Sequence, residues 1–178
     1  NKLRALKELL LRDGRFLKIL RVTVDRRQRR PQFMQIKAEK SGIALSFFSS
    51  GEHVIGNMEL LITLLSNLID NAFKASAEGN AVRIRAERKE DKVILEVEDQ
   101  GIGMTREQIG HIKEAFYRVD KSRSRAAGGA GLGLSICERI VGLHRGSLEF
   151  VSSPGKGTVA QVTLPAVFTT LQQNAYPF

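Results

Sequence analysis

The sequence predicts an α+β fold, a two-layer α/β sandwich in which helices cover one face of a mixed, mostly antiparallel sheet. Three observations carry this. AVRIRAER and KVILEVED, residues 81–88 and 92–99, alternate apolar and polar positions on either side of a polar KED turn, as an antiparallel strand pair does. GSLEF and TVAQVTLP, residues 146–150 and 158–165, form a second such pair around SSPGKG. MELLITLLSNLIDNAFKAS, residues 58–76, is the strongest helical pattern in the chain. A doubly wound parallel sheet would need regular alternation of helix and strand, which this order lacks.

The elements follow in order. NKLRALKELLLRDG places Leu3, Leu6 and Leu10 at helical spacing and stops at Gly14, so it reads as the end of a longer amphipathic helix. FLKILRVTVD closes in a β-branched, strand-like run, a helix is expected through the basic segment into AEKSG, and IALSFF reads as a further strand. Downstream of the 58–76 helix and the first strand pair, Leu132, Ile136, Ile140 and Leu143 recur at helical spacing and mark a second helix beginning near Gly131. FTTLQQNAYPF has no period and reads as a frayed tail.

With 178 residues, 42% hydrophobic and 26% charged, the chain can build the core of one globular domain. No apolar run is long enough to span a bilayer, and the N-terminus lacks the pattern of a signal peptide. The lone Cys137 cannot form an internal disulfide and reads as a small buried packing residue. The net charge of +9 invites a nucleic-acid reading, but its placement argues otherwise. Residues 1–40 hold 13 Lys and Arg against 4 Asp and Glu, whereas residues 41–178 hold 15 of each. The excess sits in pieces such as RRQRRP, without interleaved aromatics to stack on bases, so it reads as a solvated or partner-docking face and no nucleic acid is expected.

Chemistry concentrates elsewhere. GGAGLGLSICERIV, residues 128–141, crowds glycines ahead of a helix, whose unpaired first-turn N–H groups and positive dipole end suit phosphate. On the helix 58–76, a rotation of about 100° per residue places Leu61, Leu65, Leu68 and Ala72 on one face. Asn67, Asn71 and Lys74 lie on the other, where carboxamide oxygen suits a hard cation and ammonium suits phosphate. DQGIGM, residues 99–104, follows a strand directly, so Asp99 shares the inward side of Val93, Leu95 and Val97. A buried carboxylate needs donors, and the exocyclic amine of adenine is one; Gly101 and Gly103 would let the backbone turn beneath a flat base. EAFYRVDKSRSRAAGG reads as a lid, with Phe116 and Tyr117 at its hinge and Arg118, Lys121, Arg123 and Arg125 supplying charge. SSPGKGT has the wrong spacing for a Walker loop, and Gly129, Gly131 and Gly133 lack the dinucleotide fingerprint.

NLIDNAFK, DQGIGM, EAFYR, GGAGLGLS and GKGT, in this order, closely resemble the N, first glycine, F, second glycine and third glycine boxes of the sensor histidine kinase catalytic domain. The resemblance spans roughly residues 20–165 and implies the Bergerat ATP-binding fold shared with type II topoisomerases, large ATP-driven chaperones and mismatch-repair ATPases. It implies ATP and Mg²⁺ as cofactors, with Asn71 on the metal, Lys74 near the phosphates and Asp99 on the adenine amino group. It also implies that Gly101, Gly103, Gly129, Gly131 and Gly133, with Leu132 among them, line the pocket. Tyr117 and Arg118 match lid residues that face the nucleotide, and Gly155, Gly157 and Thr158 match the third glycine box. Asn67, Asn71, Lys74 and Arg118 are the implied catalytic set.

Asn67 stands where ATP-hydrolysing relatives typically place a glutamate, and an amide cannot take a proton from water, so the position favours a kinase. His53, His111 and His144 all lack the H-E/D-x-x-x-P context of the family's phosphoacceptor, and His144 reads as a helix cap. The acceptor is therefore expected outside this chain, on a dimerisation and histidine-phosphotransfer domain of a homodimeric full-length protein with a cognate response regulator. Residues 1–15 are then the remnant of a dimerisation helix and linker, 16–165 the ATP-binding domain and 166–178 the tail. The expected setting is the cytoplasmic side of a membrane-anchored sensor, with the isolated domain a monomer. The alternatives are a serine kinase or ATPase on the same fold, or a nucleotide-binding regulator without transfer activity.

Overall fold

The computed structural model describes residues 38, 41–49, 54, 56–119 and 130–166. The helix expected at 1–14, the strand at FLKILRVTVD, the basic segment, His53, Lys121, Arg123, Arg125, Gly129 and the tail from 167 onward lie outside the described residues. Among those described, the order is β1 (Ala44–Ser49), α1 (Met58–Ala75), β2 (Ala81–Lys89), β3 (Lys92–Asp99), α2 (Arg106–His111), α3 (Gly133–Leu143), β4 (Ser147–Ser152) and β5 (Thr158–Pro165). The five strands make one sheet in the order β1-β2-β3-β5-β4.

Sheet direction follows from the connections. β2–β3 and β4–β5 are joined by short turns and pair antiparallel, as does β3–β5. β1 pairs parallel with β2 because α1 intervenes, and parallel neighbours need such a crossover. This is the mixed, mostly antiparallel sheet that the sequence predicts.

Period-two burial sets the inward face. Val82, Ile84 and Ala86 of β2, Val93, Leu95 and Val97 of β3, and Ala160, Val162 and Leu164 of β5 are all buried in the core. The opposite face of β2 and β3 carries charge, with Arg83 3.1 Å and Arg85 3.7 Å from Glu98, and Gln161 Nε2 donating to Glu96 at 3.0 Å.

α1 lays Leu61, Leu64, Leu65, Leu68, Ile69, Ala72 and Phe73 into that core. Each of these Leu, Ile and Phe side chains contributes about 1.5–3 kcal/mol on burial. Asn57 caps its first turn by accepting from the N–H groups of Glu59 and Leu60, and Glu59 and Lys74 sit at the ends that suit their charges. α3 packs beside α1 through Cys137, Ile140 and Val141. The spacing of Leu132, Ile136, Ile140 and Leu143 marks a helix, and α3 is that helix. Ile140 is buried, but Ile136 and Leu143 are 42% and 63% exposed, because the helix turns the adjoining Cys137–Val141 edge toward α1 and β4. Cys137 is the buried packing residue its sequence context indicates, its thiol 3.7 Å from the carbonyl of Leu64.

Candidate functional site

Asp99 is the last residue of β3, and the same alternation that buries Val93, Leu95 and Val97 turns it inward. At 6% exposure it is the one buried charged residue among those described. Burial pushes its carboxyl above the ordinary carboxylate range, opposed by backbone N–H donation from Gly101 and Thr158. Gly101 N–H donates to Oδ1 at 2.8 Å. The carboxylate is thus fixed in place with acceptor capacity to spare, the state in which a buried acid binds a donor.

Three chain segments lock together around it. Ile102 N–H donates to the carbonyl of Ala75, the last residue of α1, at 3.2 Å, and Gly155 N–H donates to Ile102 at 2.7 Å. The glycines here also serve the chain's own packing. A Cβ on Gly101 would lie 2.4 Å from the Ala75 carbonyl oxygen, one on Gly103 1.9 Å from that of Ser153, and one on Gly157 1.9 Å from that of Asp99. The chain's own backbone excludes side chains at these three positions.

The polar face of α1 runs from this junction to the glycine-rich segment. Asn67 and Asn71 are half-buried and Lys74 is exposed. The Asn67 Oδ1 lies 3.5 Å from where a Gly133 Cβ would stand, an ordinary contact that would admit alanine. From Asn67 to Ala75 the helix rises about 12 Å, so Asp99 and the start of α3 stand at two ends of one helix face.

α3 begins at Gly133, two residues after the expected Gly131, with Leu132 as its N-cap. It has neither a side-chain cap nor an acid in its first turn. The caps of α1 and α2 differ from it: Asn57 and Glu59 serve α1, while Thr105 and Gln108 form a capping box on α2 with Glu107 in its first turn. First-turn N–H groups without internal partners are anion donors. Gly131, at φ 72°, is pinned to the hinge, since its carbonyl accepts from Phe116 N–H at 2.9 Å. Phe116 itself takes φ 68°, uncommon outside glycine, with its ring 71% exposed. Tyr117 packs its ring against His111 at 5.6 Å between centroids. Among the described residues, Arg118 has a buried Nη2 without a hydrogen-bond partner. A buried guanidinium nitrogen is costly unless an acceptor meets it, which anionic oxygen would do.

The structure therefore brings Asp99, Gly101, Gly103, Gly157 and Thr158 together at one end, and Asn67, Gly131, Leu132, Gly133, Phe116, Tyr117 and Arg118 at the other. Asn71 and Lys74 lie between them on α1. Gly129 lies outside the described residues. Two residues escape the sequence reading. Ser152 joins the Asp99 loop to the β4–β5 turn through its hydroxyl, and Lys113 ties the hinge to α3 and β4 by pairing with Glu138 at 3.0 Å and donating to the Leu148 carbonyl. Neither belongs to a spaced motif; the only trace of Ser152 is its place at the mouth of the S-S-P-G-K-G turn.

Residues 56–167 match the family of histidine kinase-, DNA gyrase B- and HSP90-like ATPases. The chain belongs to this ATPase family. Within it, the domain is of the sensor histidine kinase kind. It is 46% identical over 121 residues to the sensor histidine kinase RppB of Synechocystis, covering 67% of this chain and 27% of that protein. Against the sensor-like histidine kinase SenX3 of Mycolicibacterium smegmatis it is 36% identical over 132 residues, 74% of this chain and 34% of the relative. The chain thus spans about a third or less of the length of these relatives. Among solved structures, the mycobacterial sensor histidine kinase MprB superposes with a TM-score of 0.66 at 27% identity, covering 75% of this chain and 89% of that one. The catalytic domain of histidine kinase ThkA superposes equally well at 26% identity, covering 75% and 86%. Membership makes this an ATP-binding domain, and the unpartnered Arg118 nitrogen and the uncapped start of α3 are features that ATP phosphates fit.

Proposed function

We propose that this chain is the catalytic domain of a two-component sensor histidine kinase, which binds Mg-ATP and transfers its terminal phosphoryl group to a histidine on a dimerisation domain. The observation that carries the reading is the pairing of an acceptor-rich buried Asp99 with an uncapped helix start beside Arg118, at opposite ends of the α1 polar face.

In this reading Asp99 accepts from the adenine amino group, and Gly101, Gly103, Gly157 and Thr158 shape the floor around it. The N–H groups at Gly131–Gly133, with Gly129 ahead of them, hold the phosphates, while Lys74 and Arg118 add positive charge. Tyr117 flanks the nucleotide from the hinge. Asn71 supplies an amide oxygen to Mg²⁺, which neutralises phosphate charge when bound. Asn67 orients the same region without acting as a base toward water, which favours transfer to a protein histidine over hydrolysis.

The remaining assignments are inferred with this reading. Residues 16–165 form the ATP-binding unit, residues 1–15 lead from a dimerisation helix, and the phosphoacceptor histidine lies on that helix pair. The full-length protein is a homodimer that passes its phosphoryl group to a response regulator from the cytoplasmic side of the membrane. Among the described residues, no helix is long and apolar enough to cross a membrane.

The test mixes the domain with Mg-ATP carrying a labelled terminal phosphate and the dimerisation segment of its full-length protein. Acid-labile label on that segment, lost with its histidine, is the expected result. Rapid phosphate release without protein labelling would assign an ATPase instead.

A further inference from the structure

The hydroxyl of Ser152, at the end of β4, makes three contacts. It donates to the Gly157 carbonyl at 2.7 Å, accepts from Met104 N–H at 2.9 Å, and lies 2.9 Å from the Thr158 hydroxyl oxygen. A serine hydroxyl has one hydrogen and two lone pairs. A carbonyl can only accept and a backbone N–H can only donate, so the hydrogen of Ser152 is committed to Gly157 and one lone pair to Met104. The contact with Thr158 must use the second lone pair, and the single hydroxyl hydrogen of Thr158 therefore points at Ser152.

Thr158 is left able only to accept from anything else that approaches its oxygen. It stands opposite Asp99 in the β3–β5 register, and its backbone N–H helps to hold the Asp99 carboxylate. Two neighbouring groups at this end of the site thus present lone pairs and no hydrogen.

We propose that Ser152 is a positioning residue that sets base selectivity: by taking the hydroxyl hydrogen of Thr158 it makes the floor beside Asp99 acceptor-only, favouring a 6-amino purine over a 6-oxo purine. The inference rests on the reading of the Asp99 end as the purine site. Without Ser152 the Thr158 hydroxyl is free to rotate and donate to a 6-oxo group.

The experiment compares the affinities of ATP and ITP, whose bases differ in that substituent and in the hydrogen that the 6-oxo base carries on N1, for the 178-residue chain and its variants, alongside melting temperatures. The chain itself is expected to prefer ATP. Ser152→Ala should narrow the ATP/ITP ratio by roughly three- to tenfold, the worth of one neutral hydrogen bond, mainly through tighter ITP binding. Ser152→Thr should restore the ratio. Thr158→Val should narrow it too, and Ser152→Ala should add nothing further on the Thr158→Val background. A merely structural role would weaken both nucleotides alike, and a folded Ser152→Ala chain with an unchanged ratio overturns the proposal. If Ser152→Ala does not fold, Thr158→Val against Thr158→Ser decides: an unchanged ratio in Thr158→Val overturns it, and narrowing that Thr158→Ser prevents supports it. An unsubstituted chain that binds neither nucleotide would sink the purine-site reading and this inference together, whereas ATP binding with an unmoved Ser152→Ala ratio sinks the inference alone.

Discussion

The backbone N–H of Asn57 donates to Nε2 of His144 at 3.0 Å, across 87 positions of sequence, while Nδ1 of the same ring donates to the Ile140 carbonyl at 2.7 Å. His144 is thus a cap for the end of α3 and a tie to the start of α1. Only the neutral ring with hydrogen on Nδ1 satisfies both partners. His144→Ala takes the partner from the Asn57 N–H and one of two donors from the Ile140 carbonyl, which keeps the backbone N–H of residue 144, and should cost about 0.5–1.5 kcal/mol of stability. Urea midpoints at constant slope are the measurement.

Asp99→Asn separates binding from folding. The amide oxygen can still accept from Gly101 N–H, but the charge that binds a donor is gone, so ATP affinity should fall about ten- to a hundredfold. Stability should hold or rise. Burial raises the folded-state pKa of Asp99, so its ionised form destabilises the fold. The cost is full above the folded pKa, is relieved as pH falls through it, and is gone below the unfolded value near 3.8. Melting curves of Asp99→Asn should therefore lack this component of the pH dependence on the acid side.

The glycines divide into two classes under substitution. Gly103→Ala, at φ 65° with a Cβ driven onto the Ser153 carbonyl, should cost more than about 3 kcal/mol. Gly142→Ala, in α3 with open space around it, should instead stabilise by about 0.5–1 kcal/mol. Gly133→Ala meets nothing closer than Asn67 Oδ1 at 3.5 Å, so the fold should tolerate it while nucleotide affinity drops. Chemical denaturation and nucleotide titration of the three variants separate packing glycines from binding ones.

Arg118→Ala removes a guanidinium whose buried Nη2 has no partner among the described residues, so stability should change little. Affinity for ATP should fall more than affinity for adenosine, because only the former brings anionic oxygen. Asn71→Ala should reduce affinity for Mg-ATP more than for ATP with a chelator present, as calorimetry in both conditions would show.

The thiol of Cys137 is pushed up to about 12 by burial, leaving almost no thiolate at neutral pH. Alkylating reagents should therefore label it fast in denaturant and far more slowly under native conditions, where labelling follows opening of the fold.

Much of this was legible in the chain. Period two on β3 located Asp99 beside Val93, Leu95 and Val97, and the α1 pattern separated its apolar face from Asn67, Asn71 and Lys74, because both are local periodicities. The spacing of Leu132, Ile136, Ile140 and Leu143 located α3 but not its buried edge: spacing shows that a helix has faces, while the partner it meets decides which one is covered. Gly101, Gly103 and Gly157 announced a close approach but not by what, since the obstructing carbonyls belong to Ala75, Ser153 and Asp99. Ser152 left almost no trace, because a hydroxyl's role depends on where three distant partners aim their hydrogens.

The bare start of α3 has a last consequence. α1 and α2 carry their own finishing residues, whereas α3 has none, so an anion bound at its first turn would tie occupancy and helical order into a single thermodynamic variable. A ligand-free domain should exchange the amide hydrogens of Gly133, Leu134 and Ser135 faster than a loaded one, making the helix itself a reporter of whether fuel is aboard.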